Sequence, residues 1–293
     1  MRTLFLLFFV CIIAQAQDAT TYINDRNEKH LCGVFKLHEL EKDSLYSSWY
    51  EDNYTAIDVD VLDTNTFWAN NLESSRVDIY MGTWCGDSKK WVPRFVRLWD
   101  DLGLDRAQLQ FIALYDGDEK YKQSPNGEEK GKNIHRVPTF IFKEKGEEFA
   151  RIVESPRNDL ITDLKQIATG TASKPNYLAA SYFLDLFNRV DTEEVNKNIG
   201  EHYNAIYSLV CKSRELNTLG HVYLSAGKID EAILVFYLNT YLFRYEPNVY
   251  LNYGIALQAN NELEKAKENF SKALELEPEY ELAKEKLAAL KED

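Results

Sequence analysis

The sequence predicts two units in line, an α/β sheet domain followed by an all-α helical repeat domain. Three observations lead there. Short β-type runs alternate with amphipathic helix patterns between residues 76 and 169. Residues 177–293 read as helix throughout. Within that stretch the pairs Gly220 and Gly254, Ala232 and Ala266, and Phe236 and Phe270 each recur after 34 residues.

Size and composition agree with this division. The 293 residues suffice for two ordinary domains, and a hydrophobic content of 45% can fill a core in each. A formal charge of −13 argues against nucleic acid as a partner, because an acidic surface repels phosphates. The acidity reads as solubility.

Residues 1–16 are expected to be a signal peptide. Met1-Arg2 gives a positive start, residues 4–13 an apolar run too short to span a bilayer, and Ala14-Gln15-Ala16 a small-residue cleavage site before Gln17. The alternative is a lipoprotein acylated at Cys11, against which stands the bulky Val10. No later stretch is apolar enough to span a membrane, so a soluble, exported protein is expected, periplasmic or extracellular.

Residues 17–75, rich in Tyr, Trp and Asp, are expected to be an N-terminal extension whose aromatics pack it onto the sheet domain. Residues 77–81 form a strand leading into Gly82-Thr83-Trp84-Cys85. From Ser88, the apolar residues Trp91, Val92, Phe95, Val96, Leu98, Trp99 and Leu102 recur at helical spacing. A second strand covers 108–115. A polar loop over 116–133 is broken by Gly117, Pro125, Gly127 and Gly131. Strands over 139–142 and 149–153 form a hairpin, and an amphipathic helix over 158–169 closes the unit before the linker 170–175.

The 34-residue period, with its small and aromatic residues, resembles the tetratricopeptide repeat, with copies at about 216–247 and 250–278 and a capping helix over 281–290. Small residues allow helices to approach, and aromatics fill the space between them. The first copy departs from the second: Asn239 stands where Ala273 does, and its proline comes three residues late. Residues 177–215 are helical but off the repeat, and are expected to be a docking layer. The resemblance implies protein or peptide partners on a concave face.

Cys85 follows a strand and opens a helix, where unpaired N–H groups and the helix dipole favour a thiolate. Trp84 shields one side and Gly86 gives the turn room. The run Trp84-Cys85-Gly86-Asp87-Ser88-Lys89 resembles the Trp-Cys-Gly-Pro-Cys-Lys of thioredoxins. Pro93 matches their helix-kinking proline, Val137-Pro138-Thr139 their cis-proline segment, and Gly146 their hairpin glycine. The resemblance covers residues 76–169. It implies a thioredoxin-like fold, Cys85 and Ser88 as the catalytic positions, and a client groove formed by Trp84, Gly86, Asp87, Val137 and Pro138.

Two departures bear on function. Ser88 replaces the resolving cysteine, and a hydroxyl cannot close a disulfide. The buried acid that thioredoxins carry before the nucleophile is Ile79 here, and Asp78 belongs to the other strand face. Asp87 sets a negative charge beside Cys85, opposing the helix-terminus effect. Ser88 is expected either to hydrogen-bond the thiolate or to cap the helix.

Of four cysteines, Cys11 leaves with the signal peptide, and Cys32, Cys85 and Cys211 remain. Three readings are open: a structural Cys32–Cys211 disulfide, Cys32 as resolving thiol for Cys85, or both unpaired and partly buried. His38-Glu39 lacks the second histidine of a zinc helix, no Cys/His spacing suggests a metal site, and no cofactor is called for. His135 reads as a solvated loop residue. The expected function is an exported monothiol redox protein that forms mixed disulfides with clients and relies on an external thiol donor. The rival is a non-catalytic interaction protein that keeps the fold and has dropped the chemistry.

Overall fold

A computed structural model describes residues 20–57 and 66–290. The expected signal peptide and Cys11 lie outside the described residues.

The lead-in does more than pack on the sheet, because it supplies two of its strands. β1 (Thr20–Ile23) pairs antiparallel with β2 (Lys29–Phe35). Two helices follow, α1 (His38–Lys42) and α2 (Ser47–Tyr54), and then a 3-10 turn at Phe67–Leu72. β3 (Arg76–Met81) runs into α3 (Gly86–Asp101), and β4 (Leu109–Ala113) returns parallel to β3. β5 (Thr139–Glu144) and β6 (Glu147–Val153) form the hairpin, and α4 (Leu160–Ala168) closes the unit. The described residues form one mixed sheet of six strands, in the order β1-β2-β4-β3-β5-β6.

Strand alternation gives the sheet two different faces. Val77, Ile79 and Met81 of β3, Phe111 and Ala113 of β4, and Phe140 and Phe142 of β5 point into the main core. α3 covers that core with Val92, Phe95, Val96 and Trp99, α4 with Leu164 and Ile167, and the lead-in with Leu40, Tyr46 and Tyr50. Tyr80, Ile112 and Ile141 point the other way, into a smaller cluster with Leu114, Ile134 and Val137. As the alternation requires, Asp78 lies off the main core; it is buried and pairs with Lys143 of β5.

Local signals set the ends of these elements. α3 begins at Gly86 rather than Ser88 because Cys85, extended at φ −88° and ψ 125°, takes the N-cap position. Asp159 caps α4 by accepting the Thr162 amide at 2.9 Å.

The rest of the described chain is helical. α5 (Leu178–Leu186), α6 (Thr192–Lys197) and α7 (Ile199–Tyr207) precede two helical pairs. These are α8 (Ser213–Ser225) with α9 (Ile229–Leu242), and α10 (Pro247–Ala259) with α11 (Leu263–Leu276); α12 (Glu281–Ala289) follows. The recurring glycines bring the helices of each pair together. A Cβ on Gly220 would lie 2.4 Å from the Phe236 ring, and one on Gly254 2.5 Å from the Phe270 ring. The departure at Asn239 also has a structural role. Fully buried between α8 and α9, its amide donates to the Ser213 carbonyl at 3.0 Å and to Asn217 Oδ1 at 2.8 Å. A polar bridge therefore stands where the second copy has plain methyl packing.

Among the described residues no helix is long and apolar enough to cross a membrane.

Candidate functional site

Cys85 lies where the end of β3, the start of α3 and the segment 135–138 meet. Its side chain is half-buried against the smaller cluster, and its Sγ donates to the Val137 carbonyl at 3.2 Å. The Val137–Pro138 bond is cis, and the Pro138 carbonyl in turn accepts the Glu154 amide at 2.7 Å. The neighbouring Trp84 is anchored by its indole N–H, 2.8 Å from the Leu114 carbonyl. The indole packs against Gly82, where a Cβ would come within 2.4 Å of it. Thr83 is buried and ties the lead-in to this corner. Its Oγ1 accepts the Leu31 amide at 3.2 Å and stands 3.2 Å from His30 Nδ1.

Among the groove positions expected from sequence, Gly86 and Asp87 are exposed and Trp84 is half-buried. Val137 and Pro138 are buried, so they back the site rather than offer surface. Ser88 takes neither of its two expected roles. It is fully buried within α3, and its Oγ accepts the Gly82 amide at 3.2 Å. That amide, at the buried end of β3, needs an acceptor, and Ser88 is the polar group within reach.

The cysteines are not joined. Cys32 is buried in β2 and Cys211 is exposed between α7 and α8, and both are free thiols. Of the three readings open from sequence, the Cys32–Cys211 disulfide is therefore not formed, because the sheet interior holds one sulfur and solvent surrounds the other. Burial raises the Cys32 thiol's pKa, partly offset by a hydrogen bond from Tyr115.

The largest correction concerns His135. Sequence places it on a solvated loop, whereas it is 2% exposed, edge-on to Tyr177 at 5.8 Å, with neither ring nitrogen in a hydrogen bond. Burial, reinforced by the charges of Lys122, Arg136 and Arg151, pushes its pKa down to about 3. Between about pH 3 and 6.5 the unfolded chain binds a proton here that the folded chain refuses, so stability falls as pH drops through that window. Replacing His135 with glutamine should shrink the stability difference between pH 7 and pH 4.5 by about 2 kcal/mol, read by urea unfolding. An unchanged pH slope would exclude this role.

Sequence reasoning also missed the groups around His135. Lys122 donates to the His135 carbonyl at 2.8 Å, and its ammonium lies 4.3 Å from the Tyr121 ring centre. Tyr121 is 6.2 Å from the Trp84 ring. Arg136 reaches out of the sheet unit. Its guanidinium donates to Glu154 at 3.2 Å and to the Arg214 carbonyl of α8 at 2.9 Å, and stacks 4.4 Å over Tyr177. The segment backing Cys85 is thus tied directly to the helical unit.

Among the described residues no cluster of three or more His, Cys, Asp or Glu side chains could hold a metal ion. Comparison with protein families matches residues 247–280 to the tetratricopeptide repeat, a span that starts with α10 and includes all of α11. Comparison with curated proteins yields no match.

Proposed function

We propose that the protein is an exported thiol-redox adaptor. Its sheet unit would be thioredoxin-like and hold clients through Cys85, while its repeat-bearing helical unit recruits a protein partner. The helical part is supported by the tetratricopeptide repeat at residues 247–280, a protein-interaction module. The redox part is carried by one observation: a half-buried cysteine at the N-cap of a 16-residue helix, its sulfur 3.2 Å from the carbonyl that precedes a cis proline.

In the proposed step, the Cys85 thiolate attacks one sulfur of a client disulfide. The client S–S bond breaks, a Cys85–client disulfide forms, and the client's other sulfur leaves as thiolate. Ser88 carries no sulfur, so resolution needs an external low-molecular-weight thiol. That thiol attacks the mixed disulfide and releases either Cys85 or the client sulfur. The compartment would be periplasmic or extracellular, where disulfide-bearing clients occur.

Wild-type protein should accumulate disulfide-linked clients that disappear in Cys85→Ser and persist in Cys211→Ser, as read on non-reducing gels with mass identification. The same adduct pattern in Cys85→Ser would refute the redox role. The second reading, a non-catalytic interaction protein, is favoured by the confinement of the family match to the helical unit. An insulin-reduction assay with added thiol separates the two: catalysis supports the first, inertness the second.

A further inference from the structure

Lys122 is 4% exposed, and among the described residues it makes no ion pair. Its side-chain nitrogen donates to the His135 carbonyl at 2.8 Å and lies 4.3 Å from the Tyr121 ring centre. A carbonyl and a ring face carry only partial negative charge, so neither is a counterion. Burying a cation without an anion is costly, and buried charges are ordinarily paired.

The position of Lys122 shows where an anion can arise. The segment 135–138 holds both Lys122 and Cys85. Lys122 hangs on the His135 carbonyl, and two residues further on the Val137 carbonyl accepts the Cys85 thiol at 3.2 Å. The Tyr121 ring beside the lysine lies 6.2 Å from the ring of Trp84, the residue before Cys85. Burial, then the charge of Arg136, lowers the Lys122 pKa well below its ordinary value, and a negative charge on Cys85 acts against both.

The other titratable groups of this corner are committed elsewhere or keep their protons. Glu154 is paired with Arg136, and Arg214 of α8 adds a further cation. Asp78, on the same face of the sheet, is paired with Lys143. His135 is neutral above about pH 3, and burial holds the Tyr121 hydroxyl protonated. Asp87, in the first turn of α3, is exposed to water. Cys85 is the group left that can give Lys122 a negative partner.

We propose that Lys122 is the charge partner of Cys85, its buried amine taking up a proton as the thiol loses one. The corner then gains an ion pair and no net charge, which is the cheapest way to hold a thiolate in a half-buried place. Ionisation removes the S–H that the Val137 carbonyl accepts, and the ammonium offsets the carbonyl's repulsion of the anion. Lys122 is a positioning residue here, and no contact with a client is assigned to it. The inference rests on Cys85 being the reactive thiol proposed above.

The test is alkylation of the full chain, in a Cys211→Ser background, by iodoacetamide between pH 5 and pH 10, followed at the Cys85 peptide by mass spectrometry. Lys122→Met should move the Cys85 profile to higher pH by about one pH unit or more and slow the reaction at pH 7 at least tenfold. Lys165→Gln, at an exposed position of α4, should leave the profile in place. An unmoved profile in Lys122→Met overturns the proposal. No client takes part, so the two readings fail separately: a moved profile without client adducts removes only the redox role, and client adducts with an unmoved profile remove only the partnership. Should Lys122→Met fail to fold, the unsubstituted lysine decides. Iodoacetate leaves a negative group on Cys85, and iodoacetamide a neutral group of nearly the same size. The carboxymethylated chain should unfold at a higher urea midpoint than the carbamidomethylated one at pH 7; an equal or lower midpoint overturns the proposal.

Discussion

Replacing Arg136 with alanine should cost about 3–5 kcal/mol of stability and split thermal unfolding into two transitions. The guanidinium is 6% exposed and Glu154 13%, so removing one partner leaves the other charge buried. The same substitution removes the bond to the Arg214 carbonyl and the stack on Tyr177, both on the helical side of the linker. Once those contacts are gone, the two units have less reason to melt together. The companion variant Arg136→Met with Glu154→Leu should recover a good part of the loss, because it buries no orphan charge. Calorimetry and urea unfolding followed by circular dichroism check both points. A single transition at the wild-type midpoint in Arg136→Ala would sink the idea that this residue joins the units.

Phe270→Ala is expected to cost about 3–5 kcal/mol and to melt the terminal repeat first. The ring is fully buried between α10 and α11, and Gly254 leaves the space it occupies. Alanine therefore opens a cavity that backbone movement only partly closes. The converse variant, Gly254→Ala, places a methyl within 2.5 Å of the same ring and should destabilise by overpacking. Combining the two should cost less than their sum, because the added methyl enters space that the lost ring vacates. Urea unfolding of the full chain measures all three. A loss below about 1 kcal/mol for Phe270→Ala would show that the Gly–aromatic contact does not set the repeat's stability. If a partner docks on the repeats, its affinity should fall in parallel.

Periodic elements were legible in the sequence. Alternation in residues 77–81 placed Val77 and Ile79 on one face and Asp78 on the other, and the main core contains the first two and excludes the third. The 34-residue recurrence of Gly and Phe gave the helical pairs and their close contact. Cys85 at the junction of a strand and a helix was readable from the same local pattern. Such signals depend on neighbours within a few residues, or on a repeat that carries the same packing twice.

The surroundings of Cys85 were not legible. Loop 116–133 and residues 134–138 carry no periodicity, so nothing local distinguishes a buried Lys122 or His135 from a solvated one. Lys122, Tyr121, His135 and Arg136 form one cluster only because the loop folds back over the second face of the sheet and the helical unit closes against it. Cys32 and Cys211 made a plausible pair by count, but burial of one in β2 and exposure of the other left them apart. Ser88 was readable as a residue type, yet its acceptor role belongs to Gly82, a contact set by how β3 ends over α3. By itself the sequence determined the elements, the repeat and the position of the candidate nucleophile, because each is a local or recurring pattern. Only the tertiary structure decided which charges are buried beside that cysteine, because those depend on contacts between segments far apart in the chain.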